Sequence, residues 1–172
     1  MLNTAAFRRT AASGFAPMVR GVAWILACVP IALAAAPDAL PKADDLARDA
    51  ALMRADNMPM VVLYSQANCS YCEQARRYLG PMAHDPAMTQ RALFRQIDID
   101  SDATLTDFGG RPGTHRSLSR AQKAQFTPTV VVLDADGRTL GEPIIGMRLA
   151  DFYGLYVENA IDDARQALGA PD

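Results

Sequence analysis

Histidine and cysteine are scarce in this chain: two and three residues among 172. That scarcity excludes most metal chemistry. A structural zinc site takes four ligands, usually as two close pairs, and the sequence has one such pair, Cys69 and Cys72, with no second C-x-x-C. His84 and His115 stand far from each other, so a Cys2His2 set is a minor alternative, and both read as surface histidines. A c-type haem needs C-x-x-C-H, and Glu73 fills the histidine position. No excess of basic residues is present to meet a nucleic acid. No segment reaches the roughly 20 apolar residues of a membrane span. No internal repeat or low-complexity tract appears, and "GGRPGTHRS" lacks the G-x-x-x-x-G-K-[ST] of a phosphate loop.

What is present begins with an asymmetric N-terminus. Residues 21–36, "GVAWILACVPIALAAA", carry no charge; Arg8, Arg9 and Arg20 precede them, and Asp38 is the first acid. A basic flank, an apolar run and small residues form the layout of a secretory signal peptide. Ala32-Leu33-Ala34 supplies the cleavage site, so residues 1–34 are expected to be removed after Ala34. Met18 would open a more compact leader. Retention as a membrane anchor, or lipidation at Cys28, is the lesser alternative. Loss of Arg8, Arg9 and Arg20 leaves 14 basic against 19 acidic residues, a net charge of about −5, and both remaining cysteines lie in the C-x-x-C pair. Export implies a periplasmic location, where disulfides persist.

Residues 35–41 read as a linker and 42–172 as one domain. Leu46, Ala50 and Met53 recur at helical spacing within 42–56. The apolar run "MVVLYS", 60–65, suits a strand buried on both faces. A helix follows the cysteines, with Gly80-Pro81 expected to kink or interrupt it, and a further helical piece lies near 85–92. "LFRQIDI", 93–99, is the next strand and 100–114 a loop. Ser117 or Ser119 is placed to cap a helix running through Gln125. Two strands flank Asp136-Gly137, a hairpin signal. Phe152, Tyr156, Ala160, Ile161, Ala164 and Leu168 line one face of a closing helix; Tyr153 and Tyr156 read as core or rim. The order gives an α/β fold: a mixed sheet with helices on both faces.

Cys69 falls where a buried strand hands over to a helix, and unpaired N–H groups and the helix dipole favour a thiolate there. Cys72 follows one turn later, close enough to resolve a mixed disulfide. A structural disulfide is the bland alternative, but so short a loop removes little unfolded-chain entropy. Arg76 and Arg77 read as a solvated helix face.

"MVVLYSQANCSYC" and "FTPTVVVLDADGRTLGEPIIGM" resemble the active-site strand and the cis-proline strand with its hairpin in the thioredoxin superfamily, and the likeness extends over about residues 42–168. "CSYC", "DFGG", "TPTVVVLDADG" and "FYGLY" resemble exported bacterial thioredoxin-related proteins of the SoxW-like kind. The resemblance implies a thioredoxin-like three-layer sandwich and a redox-active Cys69–Cys72 disulfide with no cofactor or bound metal. It implies a cis Pro128 facing the cysteines and Thr127 pairing with substrate backbone, with Ser70 and Tyr71 shaping the groove. It further implies protein disulfides as substrates and a membrane electron donor of the CcdA or DsbD kind; with no second cysteine pair and no visible dimerisation segment, a monomer is expected. A disulfide-donating oxidant of the DsbA kind and a non-catalytic binding module are the rivals. The sequence departs from cytoplasmic thioredoxin at three places: Asn68 precedes the first cysteine, Ser70-Tyr71 lies between the cysteines, and Leu63 replaces a buried acid. Glu73 is the candidate proton acceptor, set against a plain solvated role.

Overall fold

The computed structural model describes residues 39–148 and 150–170. The signal peptide, its cleavage after Ala34, Cys28 and most of the linker lie outside the described residues. The packed region extends to Leu40, which is buried, and Gln96 N–H donates to the Pro41 carbonyl at 2.8 Å.

Four strands form the central sheet: β1 (Met60–Ser65), β2 (Leu93–Asp98), β5 (Thr129–Leu133) and β6 (Thr139–Ile145), in the order β2-β1-β5-β6. β1 runs parallel to β2 and antiparallel to β5, and β5 and β6 form an antiparallel hairpin. The sheet is therefore mixed, as the element order predicts. Side chains alternate across it. Val61, Leu63, Phe94, Val130 and Val132 pack with Ala75 and Leu79 of α2 (Ser70–His84) and with Val157 and Ile161 of α5 (Tyr153–Ala167). Met60, Val62, Tyr64, Ile97 and Leu133 pack on the opposite side with Leu46 and Met53 of α1 (Leu46–Asp56) and Leu118 of α4 (His115–Ala121). Two cores, one on each face, make three layers. β6 lies at the margin of the sheet, where Pro143 costs no ladder hydrogen bond.

Several elements differ from the sequence reading, each for a local reason. Asp45 caps α1 through the Arg48 N–H, so the helix starts at Leu46. α2 runs unbroken through Gly80 and Pro81. The interruption falls at Asp85, whose extended backbone (ψ 122°) suits a residue preceding a proline, and α3 (Pro86–Thr89) then begins. The predicted loop 100–114 contains a ribbon, β3 (Thr104–Thr106) against β4 (Pro112–Thr114). Its turn is held by Asp107 Oδ1, which accepts from the Gly109 and Arg111 N–H groups at 2.9 Å. Thr114, and neither Ser117 nor Ser119, caps α4, with Ser117 as the reciprocal partner of a capping box, and the helix ends at Ala121. The hairpin turn forms where Asp136-Gly137 predicts it; Gly137 has φ +77°, and a Cβ there would stand 2.6 Å from the Phe108 ring. A short 3-10 turn, Ala150–Phe152, leads into α5. Its buried face is Tyr153, Val157, Ile161 and Ala164: Ile161 and Ala164 lie on the predicted stripe, but in the first turns Tyr153 and Val157 replace Phe152 and Tyr156, which are exposed.

Two polar features of this core carry energy. Asp49 of α1, wholly buried, accepts two hydrogen bonds from Arg95 of β2 at 2.6 and 2.7 Å, tying a helix to the sheet. His115 is buried as well, against the surface position expected from sequence. Its Nδ1 accepts from the Asp98 N–H and its Nε2–H donates to the Ala43 carbonyl, both at 3.0 Å, so the two backbone partners fix the tautomer. His84 is exposed at the end of α2. Among the described residues no helix is long and apolar enough to cross a membrane.

Removing one partner of a buried ion pair leaves an uncompensated charge. Asp49→Ala should lower unfolding free energy by about 3 kcal/mol in urea titration. The double variant Asp49→Leu/Arg95→Met should recover most of that loss, which a thermodynamic cycle would measure. The Tyr153 hydroxyl is buried without a hydrogen-bond partner among the described residues. Burial pushes this phenol up to about 12. An unfolded tyrosine ionises near pH 10, so stability present below pH 10 should drain away between pH 10 and 12. Tyr153→Phe should remove that part of the alkaline loss and stabilise the fold by about 1 kcal/mol at neutral pH.

Candidate active site

β1 delivers the chain to the site. All six of its residues are buried, and it ends at Ser65. Gln66, Ala67 and Asn68 then turn outward; Asn68 takes the left-handed conformation, φ +55°, which asparagine tolerates better than most residues. Cys69 is the N-cap of α2, and its Sγ accepts the Cys72 N–H at 3.1 Å. Sulfur therefore occupies the place that a serine or aspartate oxygen usually takes at a helix start. Cys69 and Cys72 are joined as a disulfide, with an S–S distance of 2.10 Å.

The two sulfurs are not equivalent. Cys69 is partly exposed, whereas Cys72 is wholly buried. A substrate sulfur therefore meets Cys69 first, and Cys72 is reached only through it. The Thr127 hydroxyl lies 3.8 Å from Cys69 Sγ, within reach of a weak O–H···S contact. The Thr127-Pro128 peptide is cis, and Pro128 is buried with its carbonyl accepting from the Gly146 N–H at 2.8 Å. This segment thus stands beside the exposed cysteine although it is 58 residues away in sequence. When Cys69 carries negative charge, the Cys72 N–H, the Thr127 hydroxyl and the N-terminal end of α2 are already turned toward it.

The other predicted residues lie exposed around the cysteines. Ser70 and Glu73 are exposed in the first turn of α2, and Tyr71 stands 64% exposed beside the disulfide. Leu63 is buried in the core cluster beneath α2, where no carboxylate replaces it. The nearest acid by strand register is Asp98, opposite Ser65. Burial alone would push its carboxyl up, but hydrogen bonds from Lys42 and Gln96 outweigh this and hold it below the usual carboxylate range. Arg77 is exposed as expected, but Arg76 is not a solvated residue. It is half-buried and donates from Nη1 to Ser65 Oγ at 2.9 Å.

Asp100 is a site residue that sequence reasoning missed. Its Oδ2 accepts the Ala67 N–H at 3.0 Å, pinning the loop that precedes Cys69, and Arg116 donates to its backbone carbonyl. A carboxylate two residues past a parallel strand that neighbours the site strand was the available signal. Among the described residues no cluster of three or more histidine, cysteine or acidic side chains is set to hold a metal. The arrangement as a whole suits thiol–disulfide exchange: one accessible sulfur, donors facing it, and a buried sulfur one turn away.

The model of the thioredoxin-like domain family matches residues 46–151. Among solved structures, a yeast chain from work on the thiol resolving mechanism in mitochondrial 1-Cys peroxiredoxin via glutathione/thioredoxin systems is similar at 18% identity. Its TM-score is 0.50, and the alignment covers 75% of this chain and 99% of that one. Oxidised mitochondrial thioredoxin 3 from Saccharomyces cerevisiae is 18% identical, with a TM-score of 0.48 over 72% of this chain and 94% of that one. Oxidised thioredoxin O2 from Arabidopsis thaliana is 14% identical, with a TM-score of 0.47 over 73% and 97%. No curated protein matches the chain.

If Asp100 holds the loop, Asp100→Ala should speed hydrogen exchange at the Ala67 amide roughly fivefold, the loss of about 1 kcal/mol. Amides of β1 should exchange as before.

Proposed function

Because the chain belongs to the thioredoxin-like domain family, we propose that it is an exported thiol–disulfide oxidoreductase that reduces protein disulfides, of the SoxW-like kind. The observation that carries this reading is the asymmetric Cys69–Cys72 pair at the start of α2, with Thr127 against the exposed sulfur. In the dithiol form Cys69 attacks a substrate disulfide. A Cys69–substrate bond forms, and the first substrate thiolate leaves. Cys72 then attacks Cys69 Sγ, the second substrate thiolate departs, and the Cys69–Cys72 disulfide closes. Two electrons have passed from the protein to the substrate.

The backbone at Thr127, beside the cis proline, is available to pair with the substrate chain. Exposed Tyr71 offers an apolar surface at the edge of the disulfide, and Ser70 offers a small polar one. Glu73, exposed and one residue past Cys72, takes a proton when the resolving thiol ionises. The catalytic cycle draws on no cofactor. The leader read in residues 1–34 supports a periplasmic location, and the protein acts there as a monomer. In that oxidising compartment the disulfide needs a dithiol donor, and a membrane protein of the CcdA or DsbD kind fits the role.

Cys69→Ser should abolish the reduction of insulin disulfides, and Cys72→Ser should accumulate a covalent mixed disulfide through Cys69. Equilibration of the pair with glutathione and dithiothreitol decides the direction of electron flow. A reductase should give a potential near −270 mV, roughly that of thioredoxin, whereas a value near −120 mV, roughly that of DsbA, would reverse the proposed direction.

A further inference from the structure

Cys72 and Arg76 are four residues apart in α2, so they are neighbours on one helix face, with Cβ atoms about 5–6 Å apart. Helical side chains lean back toward the N-terminus of their helix, which carries Arg76 toward the turn of Cys72. Its hydrogen bond fixes that direction: Ser65 Oγ, the acceptor at 2.9 Å, belongs to the last residue of β1, just ahead of the Cys69 loop. Ser65 and Cys72 are wholly buried and Arg76 is half-buried, so the charge acts through protein more than through water. None of the ion pairs among the described residues includes Arg76.

The other charged and titratable groups of the neighbouring elements are occupied or turned outward. Glu73 and Arg77 of α2 are exposed. Asp98 of β2 is engaged by Lys42 and Gln96, and Asp100 by the Ala67 N–H. Tyr153 of α5, in the core beneath α2, keeps its proton to about pH 12. The Thr127 hydroxyl faces Cys69, the other sulfur. With Leu63 on β1, this side of the strand has no carboxylate to draw the proton from Cys72.

We propose that Arg76, aimed by Ser65, is a positioning residue that holds the buried Cys72 as a thiolate once the disulfide opens. The inference rests on the dithiol-exchange reading above and names the group that readies its second step. In that step the Cys72 thiolate attacks Cys69 Sγ. The Cys69–Cys72 bond forms as the Cys69–substrate bond breaks, and the substrate sulfur leaves with the bonding pair and takes a proton from water. A cation held one helical turn from Cys72 favours its ionised form, so no buried base is needed: the proton has passed outward, to Glu73 or to solvent, before the attack.

The test uses the full chain carrying Cys28→Ala and Cys69→Ala, which leaves Cys72 as the one thiol. Its ultraviolet thiolate absorbance is followed against pH. Arg76→Gln should move the midpoint up by about one pH unit, tenfold less thiolate below it, and Arg76→Lys should restore most of the shift. A midpoint that stays within about 0.2 unit in a folded Arg76→Gln protein would overturn the proposal. Should Arg76→Gln fail to fold, Ser65→Ala removes the anchor and keeps the charge. It should raise the midpoint by a smaller amount, and an unchanged midpoint there would also overturn it. A full shift, together with an unsubstituted chain that reduces no insulin disulfide, would support Arg76 and sink the reductase reading alone.

Discussion

The fold depends on β1 being buried on both faces and paired along both edges. Every residue from Met60 to Ser65 is inaccessible, with β2 parallel on one side and β5 antiparallel on the other. Six consecutive residues with no solvent-facing side tolerate no slip in register, because a shift of one would exchange the contents of the two cores. That fixity reaches the chemistry. The strand ends at a set height, the loop of residues 66–68 is short, and Cys69 arrives at the helix start with its sulfur already accepting a backbone N–H. The same rigid frame brings Thr127 to that sulfur, since β5 begins at Thr129 and pairs directly with β1.

The site is built on inequality. One sulfur is open to a partner and supported by a hydroxyl; the other is enclosed, with an arginine one turn further along the helix. An exchange reaction with two successive nucleophiles needs such a division, because two equally open thiols would compete for the same substrate sulfur. The absence of a buried acid at Leu63 removes one way of moving a proton inside the protein. The half-buried guanidinium of Arg76 is a different physical solution to the same problem, acting on the charged form of the sulfur rather than on its proton.

Much of this was legible in the sequence, and the boundary of legibility has a physical cause. The strands at 60–65 and 93–98, the hairpin at Asp136-Gly137 and the cysteine pair are specified locally, by apolar runs, turn chemistry and spacing. The arrangement of the sheet followed from element order. The ribbon at 104–106 and 112–114 was missed because its strands are three residues each, too short to show a period. The pattern finds Ile161 and Ala164 on the buried face of the closing helix but misplaces its start, because Phe152, Tyr156 and Tyr153 are equally apolar to a pattern; only packing against Tyr78 and the sheet buries Tyr153 and leaves the other two outside. His115 looked like a surface residue for a similar reason. Its partners are backbone groups of Ala43 and Asp98, which have no signature in a string of side chains. Asp100 and the Ser65–Arg76 bond are contacts across the fold, invisible until the strands are aligned.

The contact between Phe108 and Gly137 has a consequence for how related sequences can vary. The Phe108 ring, on the ribbon segment, fills the space that any side chain at position 137 would need. A family member that shortened the ribbon, or put a small residue at 108, would lose the steric bar at 137 while the turn's positive φ kept its own preference. Conversely, a lineage that replaced Gly137 would be expected to have lost Phe108 first. The two positions are therefore sterically coupled: any side chain at 137 requires the Phe108 ring to move.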